Sequence, residues 1–193
     1  VNHSKITFHN RYGITLAADL YMPKNATGKL PAIAVSGPFG AVKEQASGLH
    51  TQELAKRGFL TIAFDPSFTG ESGGQPRYVA SPDINTEDFS AAVDYLSTRD
   101  DVNPEQIGIL GICGWGGLAI NAAAIDTRIK ATVAATMYDI SRCTANGYFD
   151  AADNTDARYG MRQTLNAQRT EDYRNGTYAL AGGVVDPLPA DAP

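Results

Sequence analysis

The chain has 193 residues, 43 % hydrophobic and 19 % charged, with 19 glycines, 10 prolines and a formal net charge of −5. That is the composition of one globular domain with a sizeable core. An acidic balance without a Lys/Arg block excludes a nucleic-acid footprint, and no apolar run approaches the ~18 residues of a membrane span. No leader pattern opens the chain. Cys113 and Cys143 are too few for a disulfide framework, and two free thiols fit a reducing cytoplasm, the expected location.

Lys5–Asn10 and Gly13–Pro23 are alternating runs around Arg11-Tyr12-Gly13 and predict a hairpin. Leu30–Ser36 is a continuous apolar run, as a strand buried on both faces requires, and Gly37-Pro38-Phe39-Gly40 follows as a Gly-rich loop. A helix is predicted from Ala41 to Arg57, with Val42, Ala46 and Leu49 at helical spacing and Gly58 in place for its C-terminal cap. Phe59–Phe64 is the next strand, ending at Asp65-Pro66, and Ser67–Pro82 is a polar, Gly-rich loop. Asn85 is placed to cap a helix with Glu87 and Asp88 in its first turn and Phe89, Ala92, Val93 and Leu96 as its apolar stripe. Ile107–Ile112 is a third core strand, Gly116 to about Asp126 a small-residue helix, and Ile129–Thr136 a fourth core strand.

Strands alternating with helices imply βαβ units: an α/β fold, a mostly parallel sheet with helices on both faces and two antiparallel strands at one end. After Ile140 the pattern changes. Residues 141–193 are polar; Asp156–Tyr173 reads as a weakly amphipathic helix, and Val184–Pro193 as a Pro-rich connector. The expected organisation is therefore a core over 1–140 and a lid with linker over 141–193.

The chemistry concentrates in Ile107-Gly-Ile-Leu-Gly-Ile-Cys-Gly-Trp-Gly-Gly117, a strand running into a Gly-rich turn and a helix. Such a turn exposes a nucleophile above a helix N-terminus, whose free N–H groups favour a thiolate and an oxyanion. Here the chain resembles the α/β-hydrolase superfamily, above all its dienelactone-hydrolase-like branch, which places Cys or Ser in a G-x-C/S-x-G turn. The resemblance covers nearly all of residues 1–140. It includes Gly40-Ala-Val-Lys-Glu-Gln45, Phe64-Asp-Pro with Gly70-Glu-Ser-Gly-Gly74, and Asn103-Pro-Glu-Gln-Ile-Gly108.

The resemblance implies a hydrolase of carboxylic esters or lactones that needs no cofactor or metal. Cys113 is then the nucleophile. The backbone N–H of Gly114 and that of Phe39 or Gly40 form the oxyanion hole. Asp139, after the strand Ile129–Thr136, is the acid, with a capping or turn role as its competing reading. Trp115 and Tyr138, with Tyr148 and Phe149, are candidate walls of the substrate pocket.

One departure leaves an alternative open. Two positions after Cys113 stands Trp115, where the pattern wants a small residue. Centred on Trp115, the flanks Cys113 and Gly117 are both small, and the chain becomes a non-catalytic α/β-hydrolase-fold binding protein with Trp115 in the nucleophile position. The distance from Asn103-Pro104 favours Cys113; a buried small hydrophobe is the plain reading of that residue.

His3, His9 and His50 all precede Cys113, and none suits the base. The histidine is expected from a further C-terminal segment. A sheet cut after its sixth strand leaves an open edge and an uncovered apolar face, so that segment or a second chain is expected to cover it.

Overall fold

A computed structural model describes residues 1–181; the connector read over 184–193 lies outside them. The chain forms two compact units, Val1–Tyr138 and a second that begins at Asp139.

In the first unit β1 (Asn2–His9) and β2 (Thr15–Met22) form the antiparallel hairpin, in register from Asn2↔Met22 to His9↔Thr15. Asn10 makes the turn: its side-chain Oδ1 accepts from the N–H of Tyr12 and of Ile14, both at 3.0 Å. Next come β3 (Leu30–Ser36), α1 (Ala46–Lys56), β4 (Leu60–Phe64), α2 (Pro82–Ser97), β5 (Val102–Ile112), α3 (Gly114–Ile125) and β6 (Ile129–Ala135). The six-stranded sheet has the order β1-β2-β4-β3-β5-β6, with β4, β3, β5 and β6 parallel. The chain leaves β3 for β4 on one side and returns to β5 on the other. The topological switch point therefore lies between the carboxyl ends of β3 and β5, where ligands bind in open α/β sheets.

Alternating residues of the central strands supply the two faces. Ala34 and Ile109 face α2 and α3, packed with Phe64, Phe89, Leu96 and Leu118 in the larger core. Val35, Leu110 and Ile112 face the other way, toward Ala46 and Leu54 of α1. Every residue of β4 is buried. At the far side β6 is mostly exposed, with Val133 53 % exposed beside Leu110.

Several boundaries differ from the sequence reading, each for a local reason. α1 begins at Ala46 and not at Ala41, because Lys43 in the preceding turn gives its N–H to Asp65. Its buried face is Ser47, Gly48, Thr51 and Ala55, small residues against the sheet, while Leu49 is exposed. α2 is capped by Ser81, not Asn85: Ser81 Oγ accepts from the Ile84 N–H, and Asn85 Oδ1 accepts from the Ser81 N–H at 2.9 Å, a reciprocal cap. Pro82 sits at the first helical position, where its missing N–H costs nothing. β5 starts five residues before Ile107 and α3 two before Gly116.

In the second unit Asp139 caps α4 (Ile140–Asn146), a 3-10 turn spans Tyr148–Asp150, and Asn154 caps α5 (Thr155–Asn175), which ends at the left-handed Gly176. No residue of α4 or α5 is buried. No helix among the described residues is long and apolar enough to cross a membrane.

Candidate functional site

The site is built at the switch point, and glycines allow it. A Cβ on Gly111 would lie 2.2 Å from the Trp115 carbonyl oxygen, so only glycine lets α3 fold back directly beneath the end of β5. Between them Cys113 adopts φ 60°, ψ −128°. That is the first central position of a type II′ turn, which glycine normally fills. Its backbone is held on both sides: the N–H donates to Ala135 of β6, and the carbonyl accepts from Gly116, each at 2.9 Å. The thiol is half-buried. Gly114, the first residue of α3, has no intrahelical partner for its N–H and lies at the positive end of the helix.

The loop after β3 presses against this bend. Gly37 has φ 102°, and a Cβ on it would lie 2.3 Å from the Ile112 carbonyl oxygen and 2.9 Å from the Trp115 Cβ. Two residues on, the ring of Phe39 stands edge-on to that of Trp115, with centroids 4.3 Å apart. Phe39 and Gly40, the two candidate oxyanion donors, thus lie on a loop packed against the bend. A cavity of about 320 Å³ opens beside it, lined among others by Phe39, Gly40, Thr69, Arg77, Tyr78 and Trp115.

Trp115 itself is 3 % exposed, inside the first turn of α3 and within the larger core. The register that puts it on the bend is therefore corrected: the strand-to-helix bend falls on Cys113. The indole is tolerated two positions later because it lies against Phe39, away from the bend. Its Nε1 is buried without a hydrogen-bond partner. Tyr138 closes the first unit, with its carbonyl oxygen 3.5 Å from where a Gly117 Cβ would stand. Tyr148 and Phe149 are exposed residues of the second unit.

Asp139 Oδ1 accepts from the Arg142 N–H at 2.9 Å and the Ser141 hydroxyl at 2.6 Å, as a helix cap does. Those donors, the Arg142 N–H foremost, hold its carboxyl below the usual value. His3 bonds Asp19 through Nε2 at 2.9 Å, His9 ends β1, and His50 bonds the Ala46 carbonyl oxygen within α1. None of these histidine contacts involves Cys113.

The sequence reading missed an ionic cluster centred on a buried lysine behind the loop after β3. Lys43 is 1 % exposed. Its Nζ donates to Glu71 Oε2 at 2.6 Å, Glu44 Oε1 at 2.7 Å and Asp65 Oδ2 at 3.2 Å. Asp65, fully buried at the end of β4, also accepts from the N–H of Lys43 at 2.7 Å and of Glu71 at 2.9 Å. Asp65 thereby ties the loop after β4 to the loop after β3. Burial opposes the charge on Lys43, but the bonds from Glu44, Glu71 and Asp65 together outweigh it and raise its pKa. Glu71 is pushed down to about 2 by its bonds to Lys43 and then Lys5.

A second buried carboxylate, Asp88 of α2, accepts from the Ser67 N–H and hydroxyl and from the Asn10 and Asn85 amides. It lies beyond the first turn in which the sequence placed it, because the helix starts at Pro82, and it is fully buried. Burial raises its pKa against these four donors. The network joins the hairpin turn, the loop after β4 and α2.

The sheet order and its flanking helices are those of an α/β-hydrolase fold. The crystal structure of the α/β hydrolase GrgF from Penicillium sp. superposes with a TM-score of 0.78 over 93 % of this chain and 57 % of that one, at 22 % identity. The chain belongs to the X-Pro dipeptidyl-peptidase (S15) family, whose model matches residues 12–181. Protein PA2218 of Pseudomonas aeruginosa is 62 % identical over 180 residues, 93 % of this chain and 48 % of that protein. The PA2218 crystal structure superposes with a TM-score of 0.90 and 60 % identity over 95 % of this chain and 59 % of the crystallised one. The thiohydrolase aneE of Aspergillus aculeatus is 34 % identical over 128 residues, 66 % of this chain and 39 % of its own. The chain thus spans about half or less of the length of these curated relatives.

Proposed function

We propose that the full-length protein hydrolyses carboxylic ester or lactone bonds, with Cys113 as its nucleophile. The observation that carries this reading is the bend itself. A half-exposed thiol held at φ 60° between β5 and α3 is an expensive conformation for a residue with a Cβ, and such strain collects where function requires it. The relative named a thiohydrolase extends the class of bond to thioesters.

In this mechanism the Cys113 thiolate attacks the carbonyl carbon. The oxyanion is held by the N–H of Gly114 and that of Phe39 or Gly40. Collapse expels the alcohol or thiol, which takes a proton from the protonated histidine, and leaves the acyl group on sulfur. Water then gives a proton to the same imidazole, attacks the acyl carbon and releases the acid with the thiol restored. The histidine comes from a segment C-terminal to this chain, and Asp139 is the acid that orients it. Trp115 and Tyr138 bound the substrate side.

The same segment, or a second chain, covers β6 and the apolar groove of about 500 Å³ that runs past Ile33, Leu54, Phe59, Leu110 and Val133. Length supports the first choice, since this chain matches only 48 % of PA2218. The protein works in a reducing cytoplasm, where its two free thiols persist.

The test is made on the full-length protein. Iodoacetamide is expected to label Cys113 ahead of Cys143 and to abolish p-nitrophenyl acetate cleavage in proportion to labelling. A Cys113→Ala protein that cleaves the ester as fast as the parent would end the role of Cys113, and a parent with an inert Cys113 and no ester cleavage would favour an α/β-hydrolase fold that only binds its ligand.

A further inference from the structure

We propose that Lys43 is the positioning residue of the oxyanion loop. Through its ion pairs with Asp65 and Glu71 it sets where the N–H groups of Phe39 and Gly40 stand relative to Cys113. The inference rests on the hydrolase reading above and adds to it a residue outside the reacting groups.

Lys43 stands three residues after Gly40 in a segment with little structure of its own. From Gly37 to Gln45 the segment closes only short local turns, Ala41 to Pro38 and Gln45 to Val42. Among the described residues, all hydrogen bonds joining it to the loop after β4 are made by Lys43. Both ends of that residue are used: its N–H goes to one oxygen of Asp65 and its Nζ to the other. Asp65 is a rigid anchor because it ends a fully buried strand. Glu71 passes the charge on to Lys5 of β1, which holds its other oxygen at 2.8 Å.

From the opposite side α1 fixes the Lys43 backbone. A Cβ on Gly48 would lie 2.5 Å from the Lys43 carbonyl oxygen. Lys43 is thus gripped by helix, strand end and loop, while Gly37 at the other end of the segment is wedged against Ile112. Phe39 and Gly40 lie between these two fixed points.

A core packed only for stability has no need of a lysine. Apolar groups of similar volume hold such a position as well or better, whereas an ion cluster fixes one geometry. One geometry is what an oxyanion donor requires, since it must meet the oxygen at about 2.7–3.1 Å.

The experiment compares Lys43→Met and Lys43→Arg with the parent in the full-length protein. Three readouts are taken: kcat and KM for p-nitrophenyl acetate, the rate of Cys113 alkylation by iodoacetamide, and backbone hydrogen exchange over residues 37–42. Alkylation forms no oxyanion, so it reports the thiol and the bend alone. Lys43→Met is expected to lower kcat on the order of ten- to a hundredfold, part of the loss of a whole donor, with KM little changed. Exchange over 37–42 is expected to rise while the alkylation rate stays at the parent value, and Lys43→Arg is expected to recover part of kcat.

Unchanged kcat, or a fall in alkylation that matches the fall in kcat, overturns the proposal. If Lys43→Met does not fold, Glu71→Gln carries the same test with a smaller expected loss, and an unchanged kcat and exchange there overturns it too. A parent without any ester hydrolysis sinks the hydrolase reading instead, and exchange over 37–42 then decides whether Lys43 anchors the loop.

Discussion

Strain at Cys113 can be measured by removing its Cβ. Two variants of the full-length protein, Cys113→Ala and Cys113→Gly, both delete the thiol, so the comparison between them isolates the backbone. Alanine keeps the cost of φ 60°, ψ −128°, which for a residue with a Cβ is about 1–3 kcal/mol. Glycine sheds that cost but loses about 0.5–1 kcal/mol to the greater freedom of its unfolded chain. The difference is about 0–2.5 kcal/mol in favour of glycine. At Ala124, an exposed position inside α3, glycine should instead be worse than alanine by about 1 kcal/mol. Urea unfolding at constant slope reads both, since a slope of about 1–3 kcal/mol per molar turns 1 kcal/mol into a midpoint shift of about 0.3–1 M. If Cys113→Gly unfolds at lower urea than Cys113→Ala, the bend is not strained, and the argument from strain to function fails.

Three further outcomes are expected. Gly37→Ala must place a Cβ at φ 102° and 2.3 Å from the Ile112 carbonyl oxygen, so it should cost at least about 1–3 kcal/mol of stability and slow ester hydrolysis by moving Phe39 and Gly40; urea midpoints and kcat check both. Glu71 titrates at about 2 in the fold against an ordinary value of 4.5. Its bonds to Lys43 and Lys5 therefore contribute fully above about 4.5 and fade as pH falls through about 2, so the stability deficit of Glu71→Gln should be present at pH 6 and close in strong acid. Val133→Lys should lose about 1.5–3 kcal/mol in the full-length protein if a further segment or second chain covers β6, because a buried valine is then replaced by a charge; a change within about 0.5 kcal/mol would leave that face open to water.

The sheet was legible wherever burial on both faces left an unbroken apolar run, as in Leu30–Ser36 and Phe59–Phe64. It was not legible over Val102–Gln106, where β5 begins with Val102 opposite Leu30 and then breaks register until pairing resumes at Ile107. Helix starts failed where a tertiary partner decided them. Lys43 carries ordinary helical propensity, yet Asp65, 22 positions away, takes its N–H and delays α1. Pro82 read as loop because proline breaks helices, but at their first turn it starts them. In the site, Cys113 could be placed because the glycines around it are local in sequence. Lys43 could not, since lysine predicts exposure and Glu71, one of the carboxylates that bury it, lies 28 positions downstream.

The three central strands share a pattern that locates the chemistry. Each is an apolar run that ends on a polar side chain at its carboxyl end. Ser36 closes β3 and donates to the Phe64 carbonyl oxygen at 3.0 Å; Asp65 follows β4 and takes Lys43; Cys113 follows β5 and makes the bend. The apolar runs are locked in register by the ladder, so these ends stand at fixed distances from one another before any loop is formed. The loops then inherit that spacing: Gly37 meets Ile112, and Lys43 meets Asp65. Substitutions within the strand interiors should therefore act on activity only through stability. Those at the three polar ends, and at the residues that meet them, should change turnover by more than their effect on stability explains, because they also alter where the oxyanion donors stand.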